Sequence, residues 1–369
     1  MVLSRPLLLV AAYLLWGGTP LEAQSDRPRP VDRQSTGDIY LPGGSERLSS
    51  LSTVSKQQRL ADERNYELTT TFRVPSINGG EVIDREVSEK SWEINGHTFK
   101  RERVVRSQDS SGRLTTSEVV SEDHTLKGNV EEIQRSFFRP DLNGKLVPQS
   151  VENETITKVS PSETQTSHAI YRPSPDGEFA LAELVESTER RLNSTTTVME
   201  SQRQAQEPSS RMALVEKVRE ITTKSGEGAF KKERQVHRAD DHGRLILTDK
   251  VFETQSQSAD GTRKYQRVLE SRNLTPLTRN AEGGLVISER VTGEERKLAD
   301  GSIESALRVE TIDPVNAADG LKTTQIVTET SHPLPNGQFR IERTVKSRDV
   351  NGNYVVSQRI SEVVSAKTN

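Results

Sequence analysis

Apolar and polar residues alternate imperfectly along most of this chain, in segments of about 11 to 13 residues divided by turn signals. The same pattern occurs three times without a gap, beginning at Phe99, Phe230 and Phe339. Each copy opens with F-x-x-E-R-x-V and continues to a D-x-x-G turn. Such long copies indicate an internal repeat, which takes precedence over an estimate of domain number from chain length.

Turn residues recur at a near-constant spacing from about Tyr66 onward. One series has intervals of about 33 residues, and a second series falls midway between its members. The first comprises Gly80, Gly112, Gly144, Gly177, a site near Ser210, Gly243, Gly284, Gly320 and Gly352; the second comprises Gly96, Gly128, a site near Pro161, Asn193, Gly226, Gly261, Gly301 and Gly337. Reversals this frequent, between segments rich in Val, Ile and Thr, predict β-hairpins.

The predicted fold class is all-β, a long antiparallel meander of hairpin repeats of about 33 residues. We expect an open, twisted and thin sheet. A closed membrane barrel fits less well, because Glu and Arg fall on both predicted faces and aromatic girdles are missing. Helix is disfavoured by the dense β-branched residues and frequent glycine, except at Ser201 to Pro208, predicted as a polar loop or a short helical piece before Met212.

The apolar positions do not mark one clean face. After Gly112, strict alternation puts Leu114 and Val120 on one face and Val119 on the other. We therefore expect a sheet that is wet on much of both faces and is stabilised by opposite charges on neighbouring strands. The three repeat phenylalanines and the valine that ends each F-x-x-E-R-x-V motif predict a thin apolar seam.

Four aspartates have a structural explanation in the turns. Asp109, Asp141, Asp240 and Asp349 each precede a glycine by three residues. Their carboxylates are expected to accept hydrogen bonds from backbone amides, while the glycine adopts the positive φ that closes the hairpin. A calcium loop would need further acidic ligands and a distal Glu, which these segments lack.

The chain divides into three predicted parts. Residues 1–23 have the order of a secretory signal peptide: Arg5, an apolar run from Leu7 to Trp16, then small residues with cleavage expected near Ala23. Residues 24–65 are predicted as a flexible low-complexity leader, with one short strand at most around Asp38 to Leu41. Residues 66–369 form the predicted hairpin-repeat domain.

Composition narrows the environment and the partners. The formal net charge is -3, with 51 basic and 54 acidic residues, so no strong field of one sign attracts nucleic acid. The sequence contains no cysteine, which suits an exported bacterial envelope protein better than a disulfide-bonded secreted one. No segment after the signal is apolar enough for a transmembrane helix, and we expect an exported location in the periplasm, at the cell surface or outside the cell.

Two local patterns resemble known secreted proteins. The D-x-x-G-R-L segments at Asp109–Leu114 and Asp240–Leu245 resemble the turns of YD (RHS-type) repeats, whose strips of β-hairpins build secreted shells. The strands rich in Glu, Lys and Thr are similar in composition to the single-layer sheet of spirochaete outer-surface lipoproteins. Both resemblances imply an extended β-sheet, and neither implies functional residues.

The search for reactive groups returns no catalytic, cofactor-binding or metal-binding residue. The six histidines are expected at turns or strand ends, without metal-ligand spacing: His97, His124, His168, His237, His242 and His332. Nucleophile and phosphate-loop motifs are missing. A carboxylate pair for glycoside hydrolysis would need a pocket with apolar walls, and Trp92 beside Glu93 is predicted in the apolar seam instead.

The sequence thus predicts an exported non-catalytic protein, a scaffold, surface component or binding platform, without a cofactor. Its ligand is unspecified, with a protein or an envelope polysaccharide as candidate partners. Two alternatives stay open: an envelope hydrolase that acts on carbohydrate or peptide through carboxylates, and a fibre subunit that self-associates edge to edge through unpaired end strands.

Overall fold

A computed structural model describes residues 31–40, 50–60, 65–76, 80–174, 176–207, 209–226, 228–272, 284–312, 320–335, 338–349 and 351–365. For the first two ranges it describes backbone pairing alone. The predicted signal peptide at residues 1–23 lies outside the described residues.

The described residues form one sheet of 20 strands. In chain order these are β1 (Val31–Tyr40), β2 (Ser50–Leu60), β3 (Tyr66–Pro75), β4 (Glu81–Asn95), β5 (Thr98–Gln108), β6 (Leu114–Lys127), β7 (Val130–Pro140), β8 (Leu146–Ser160), β9 (Glu163–Pro173), β10 (Phe179–Arg191), β11 (Thr196–Gln206), β12 (Met212–Gly226), β13 (Ala229–Ala239), β14 (Leu245–Gln257), β15 (Arg263–Arg272), β16 (Leu285–Lys297), β17 (Ile303–Ile312), β18 (Leu321–Pro333), β19 (Gln338–Arg348) and β20 (Tyr354–Ser365). Each strand pairs antiparallel with the next, which confirms the all-β meander.

The two ends of the meander pair with each other. β1 is antiparallel to β2 on one side and to β20 on the other, where the register runs from Gln34 opposite Val363 to Ile39 opposite Gln358. Each of the 20 strands therefore has two neighbours, and the expectation of unpaired end strands is corrected. The segment predicted as a flexible leader, residues 24–65, contains β1 and β2. Its side-chain pattern is weak, but β20 and β3 provide hydrogen-bond partners for the backbone of these two strands.

A second correction concerns Ser201 to Pro208. Its residues through Gln206 belong to β11 and pair with β10 and β12, so tertiary pairing overrides a composition that suits a loop. The reversal predicted near Ser210 is present, and Ser210 adopts a φ of 65° there.

The turn aspartates act as the sequence predicts. Asp109 Oδ1 accepts hydrogen bonds from the backbone N–H of Ser111 at 2.8 Å and of Arg113 at 3.1 Å, and Gly112 has a φ of 80°. Asp141, Asp240 and Asp349 accept the equivalent pair of bonds at 2.8 to 2.9 Å. The reversals are thus built from local hydrogen bonds, as in Asx-turns.

Each repeat contains one β-bulge near the start of its even-numbered strand. Val105 lies opposite Glu118 and Arg106 opposite Thr116, so Ser117 is the extra residue. The same irregularity recurs at Thr248 in β14 and at Ser357 in β20. A bulge shifts the alternation by one residue.

The bulge explains the imperfect alternation of the sequence. Leu114 pairs with Gln108 and Val120 with Arg103, so these two side chains lie on opposite faces, and Leu114 shares its face with Val119. The strict alternation expected after Gly112 is therefore wrong.

A hydroxyl group satisfies the backbone at each of these bulges. Ser117, Thr248 and Ser357 donate to the carbonyls of Val105, Val236 and Val345 at 3.1 to 3.3 Å, and Ser288 and Thr324 do the same for Leu269 and Val309. The bulge interrupts the ladder, so this carbonyl lacks its usual backbone N–H donor, and the Ser or Thr hydroxyl donates to it instead.

The apolar core is a single row on one face of the sheet, which we call the valine face. Its most buried apolar side chains are Ile133, Val218, Val236, Val251, Val291, Val327 and Val345. Val218 lies opposite Val236, and Val327 opposite Val345, so the row continues across neighbouring strands. We call the other side of the sheet the opposite face.

Replacing Thr248 by Val tests the bulge. The substitution keeps the shape but removes the donor to the Val236 carbonyl, and we expect the free energy of unfolding to fall by about 1 kcal/mol. Urea unfolding followed by circular dichroism would measure it. Thr254→Val, an exposed position on the same strand, is the matched control and should change little. Equal effects of the two substitutions would contradict the role of the hydroxyl.

Removing Val31–Tyr40 tests the pairing of the ends. β2 and β20 both run antiparallel to β1, so they are parallel to each other and cannot simply re-pair in the same register. The deletion exposes two edges, and we expect concentration-dependent self-association in light scattering, whereas the chain with β1 stays monomeric. A deletion variant that remains monomeric at every concentration would contradict the pairing.

Candidate functional site

Four arginines on the valine face share one arrangement: each lies on an odd-numbered strand, with carboxylate partners on the two even-numbered strands beside it. Arg101 lies between Glu89 and Glu122, Arg135 between Glu122 and Glu154, Arg203 between Glu183 and Glu216, and Arg267 between Glu253 and Glu289. The N···O distances reach 3.8 Å at most. Each guanidinium thus bridges the two strands beside its own.

The ladder on the valine face is less exposed than the ion pairs on the opposite face. The side chains of Arg267 and Glu253 are 17% and 18% exposed, against 60% and 55% for Lys90 and Glu67 on the opposite face. Exposed pairs contribute little to stability, because water screens them and long side chains lose entropy. The half-buried ladder is therefore the charge arrangement on which the sheet depends.

The most buried charges lie in β6, at Glu122 and His124, which are 6% and 7% exposed. His124 Nε2 is 2.5 Å from Glu122 Oε1, and His124 Nδ1 is 3.3 Å from Glu131 Oε1. The imidazole stacks on the Phe99 ring, with centroids 4.0 Å apart. Two carboxylates thus face the two nitrogens of one ring.

Arginines from the neighbouring strands complete this cluster. Arg135 donates from Nε to Glu122 and from Nη1 to Glu154, the latter at 2.8 Å. Arg101 Nη1 lies 3.2 Å from Glu122. Burial of Glu122 would raise its pKa, but hydrogen bonds from His124 and Arg135 and the nearby arginine charges outweigh it and lower that pKa to about 2.

Tyr66 closes the cluster at its β3 side. Its hydroxyl donates to Glu89, and burial together with this hydrogen bond raises the pKa of Tyr66 above the usual value. The phenol therefore stays protonated, and its proton is held by a carboxylate inside the cluster. Each carboxylate of the cluster has an arginine, imidazole or phenol partner, which favours a stabilising role over the presentation of a reactive group.

The other repeats retain the acid and lose the histidine. Aligned with the Phe99 repeat, the Phe230 repeat has Glu253 at the position of Glu122 and Gln255 at that of His124. The sequence did not single out His124, which was expected at a turn or strand end. The sequence does contain a signal that could have predicted the cluster. The E-x-H pattern puts Glu122 and His124 on one face of a strand, beside the R-x-R pattern of the preceding strand of the hairpin.

The histidines do not converge. His168 and His237 lie within β9 and β13, which with buried His124 corrects the expected placement at turns or strand ends. His168 pairs with Glu152 at 3.1 Å, and His332 Nδ1 lies 3.1 Å from the Ser302 hydroxyl. Among the described residues, no group of three or more His, Asp or Glu side chains has a metal-binding arrangement.

Trp92 lies on the opposite face, not in the apolar seam. It pairs with Lys100, whereas Phe99 pairs with the adjacent Glu93. The prediction that Trp92 joins the seam of Phe99 is therefore wrong, because neighbouring positions of a strand face opposite ways. Two concavities of the described residues, about 560 and 350 Å³, lie on β14–β18 and β11–β14, away from Trp92.

The described residues include no helix of the length and hydropathy needed to cross a membrane.

Replacing Glu122 by Gln tests the cluster. Because the pKa of Glu122 is lowered in the folded protein, its stabilisation is present above pH 4.5 and is lost as the pH falls towards about 2. We expect the variant to be less stable than the parent by about 3 kcal/mol at pH 7, with the difference disappearing towards pH 2. Urea unfolding between these pH values would measure it.

Glu86→Gln is the control for that series. Glu86 pairs with Arg106 on the opposite face, where the arginine side chain is 46% exposed. We expect a loss below about 1 kcal/mol. If Glu122→Gln shows a pH-independent loss, or one no larger than Glu86→Gln, the electrostatic account of the cluster fails.

No family model and no curated protein matches this sequence. Among solved structures, Pseudomonas aeruginosa OpdL aligns with a TM-score of 0.49 and 8% identity, covering 90% of this chain and 96% of its own. P. aeruginosa OccK8 (OprE) gives 0.47 and 8%, covering 91% and 96%, and a mutant of the Rh. blastica porin gives 0.38 and 7%, covering 90% and 96%. These likenesses concern the arrangement of strands alone.

The expected role as a scaffold, surface component or binding platform is corrected. It assumed an open ribbon, whereas β1 pairs with β20. The fibre alternative is wrong as well, because it required unpaired end strands. The hydrolase alternative placed its carboxylates in a pocket around Trp92, whereas the concavities on β14–β18 and β11–β14 lie elsewhere.

Proposed function

We propose that this chain is an exported, non-enzymatic protein whose ring of strands encloses an aqueous passage for small polar solutes. The pairing of β1 with β20 carries the proposal, because it gives every strand two neighbours. Closed sheets of roughly 16 to 18 strands are already wide enough to leave an aqueous channel.

The number of strands sets the size of the passage. Strands about 4.8 Å apart and tilted by about 40° would make a circular ring of 20 strands about 40 Å across between opposite backbones. A core that fills such a space would need large apolar side chains. Among the described residues the buried apolar side chains are instead a single row of valines and one isoleucine, which supports a water-filled interior.

The lining supports polar solutes. Ion pairs occur on both faces, as at Arg267 and Glu253 on the valine face and at Lys90 and Glu67 on the opposite face. Charged side chains therefore line the interior. Neither face of the described residues has the continuous apolar band that lipid contact requires, which favours a ring surrounded by water or protein.

Two further parts of the proposal have separate support, one from the sequence and one from the Glu122 cluster. Residues 1–23 have the basic, apolar and small-residue order of a secretory signal, which supports export. In the Glu122 cluster each carboxylate is held by an arginine, imidazole or phenol partner, which supports a protein that is not an enzyme.

Single cysteines test the passage, because the chain has none of its own. Ser201 and Gln202 are neighbours in the middle of β11, and their side chains lie on opposite faces. In Ser201→Cys and Gln202→Cys, N-ethylmaleimide should label both thiols. A polymer-linked maleimide wider than the ring should label one of them and be excluded from the other.

The same variants without Val31–Tyr40 provide the control. Opening the ring should admit the polymer reagent to both faces, so the difference between the two cysteines should disappear. If the polymer labels both thiols equally in the chain that retains β1, the sheet has two open faces and the proposal is wrong.

A further inference from the structure

A concavity of about 350 Å³ lies across β11–β14 and is lined by Glu200, Lys217, Arg219, Gln235, His237 and Leu245. It lies on the opposite face, since Lys217 and His237 are adjacent to the paired valines Val218 and Val236 of the valine face. None of its residues belongs to the ladder of the valine face.

Lys217 and His237 lie directly opposite each other in the register of β12 and β13. The next residue beyond Lys217 is Gln202 on β11, and the next beyond His237 is Leu247 on β14. Two basic side chains therefore meet between neutral neighbours, whereas the ladder arginines have carboxylates on both sides. Lys and His side chains both carry N–H donors, and at this pair of positions no carboxylate faces them.

The next pair along these strands adds a third basic group. Arg219 lies opposite Gln235, and Lys250 follows Gln235 on β14. The carboxylates nearby are Glu200, 3.7 Å from Arg219, and Glu233, which accepts a hydrogen bond from Gln235 at 2.9 Å. Within the part of the chain that the structure describes, neither the Lys217 side chain nor the His237 side chain has a hydrogen bond or an ion pair.

The spacing of these side chains fits one small anion. Positions opposite each other are about 5 Å apart at Cβ, and positions two residues apart along a strand are about 7 Å apart. Lys217, His237 and Arg219 thus occupy three corners of a small rectangle, with Leu245 as an apolar wall. Donors from several directions suit a tetrahedral oxyanion better than a flat carboxylate.

We propose that the concavity lined by Lys217, Arg219 and His237 binds a phosphate or sulfate group. The chain as a whole carries a formal charge of -3, so general attraction of anions does not account for such binding. The site needs only the local pairing of β11–β14, and it stands whether or not the ring serves as a passage. The group is recognised either as the free ion or as a monoester on a small molecule.

Phosphorus NMR and titration calorimetry of the full chain with inorganic phosphate test the site. We expect saturable binding, competition by sulfate and much weaker competition by acetate. Lys217→Gln should weaken binding about tenfold, as expected for the loss of one charge-assisted hydrogen bond. Glycerol 3-phosphate, titrated in parallel, distinguishes a monoester from the free ion.

Lys231→Gln is the matched control. Lys231 lies on the same strand and face as His237, about 20 Å away along β13, and it carries the same charge as Lys217. It should bind phosphate as the parent does. The proposal is overturned if the parent shows no saturable binding, if acetate competes as well as sulfate, or if Lys217→Gln and Lys231→Gln bind equally.

Circular dichroism and urea unfolding of both variants separate binding from folding. Lys217 is exposed, so its replacement should leave the unfolding midpoint unchanged or raise it slightly by removing the basic pair. A loss of binding that accompanies a loss of folded structure would count against the site.

Discussion

The structure depends on charge complementarity between consecutive strands. On the valine face, arginines of odd-numbered strands meet glutamates of even-numbered strands across β4–β8, β10–β12 and β14–β16. Each cross-strand pair contributes roughly 0.2 to 1 kcal/mol, so no single pair holds the sheet. The repeat supplies many of them in one row, and a chain with 28% charged residues can in this way form a sheet around only one row of valines.

Much of this could be predicted from the sequence, because the responsible signals are local. Asp109 and Gly112 specify a reversal through hydrogen bonds inside one turn, and the recurrence of that unit predicts the meander. The bulge could not be predicted in the same way. Ser117 looks like any polar strand residue, and only its hydrogen bond to the Val105 carbonyl shows that it is the extra residue of a bulge.

The pairing of β1 with β20 and the burial of the Glu122 cluster could not be predicted from the sequence, for a different reason. β1 pairs with β20, which lies far away in the chain. The sequence of residues 24–65 has no periodicity that would predict this pairing. Glu122 and His124 carry a visible E-x-H pattern, but their burial depends on Arg101 and Arg135 arriving from two other strands. Contacts that require the whole sheet leave little trace in any one segment.

The two faces of the sheet differ in how their charged side chains are paired. On the valine face each described arginine of the ladder is matched, so ligands find its charges already satisfied. The opposite face is under no such constraint, and there Lys217 and His237 meet between Gln202 and Leu247 without a carboxylate. A sheet of repeats can tolerate a local excess of positive charge, because its stability is the sum of contributions from many repeats and their ion pairs. Selectivity for an anion can therefore be encoded on this face without weakening the fold.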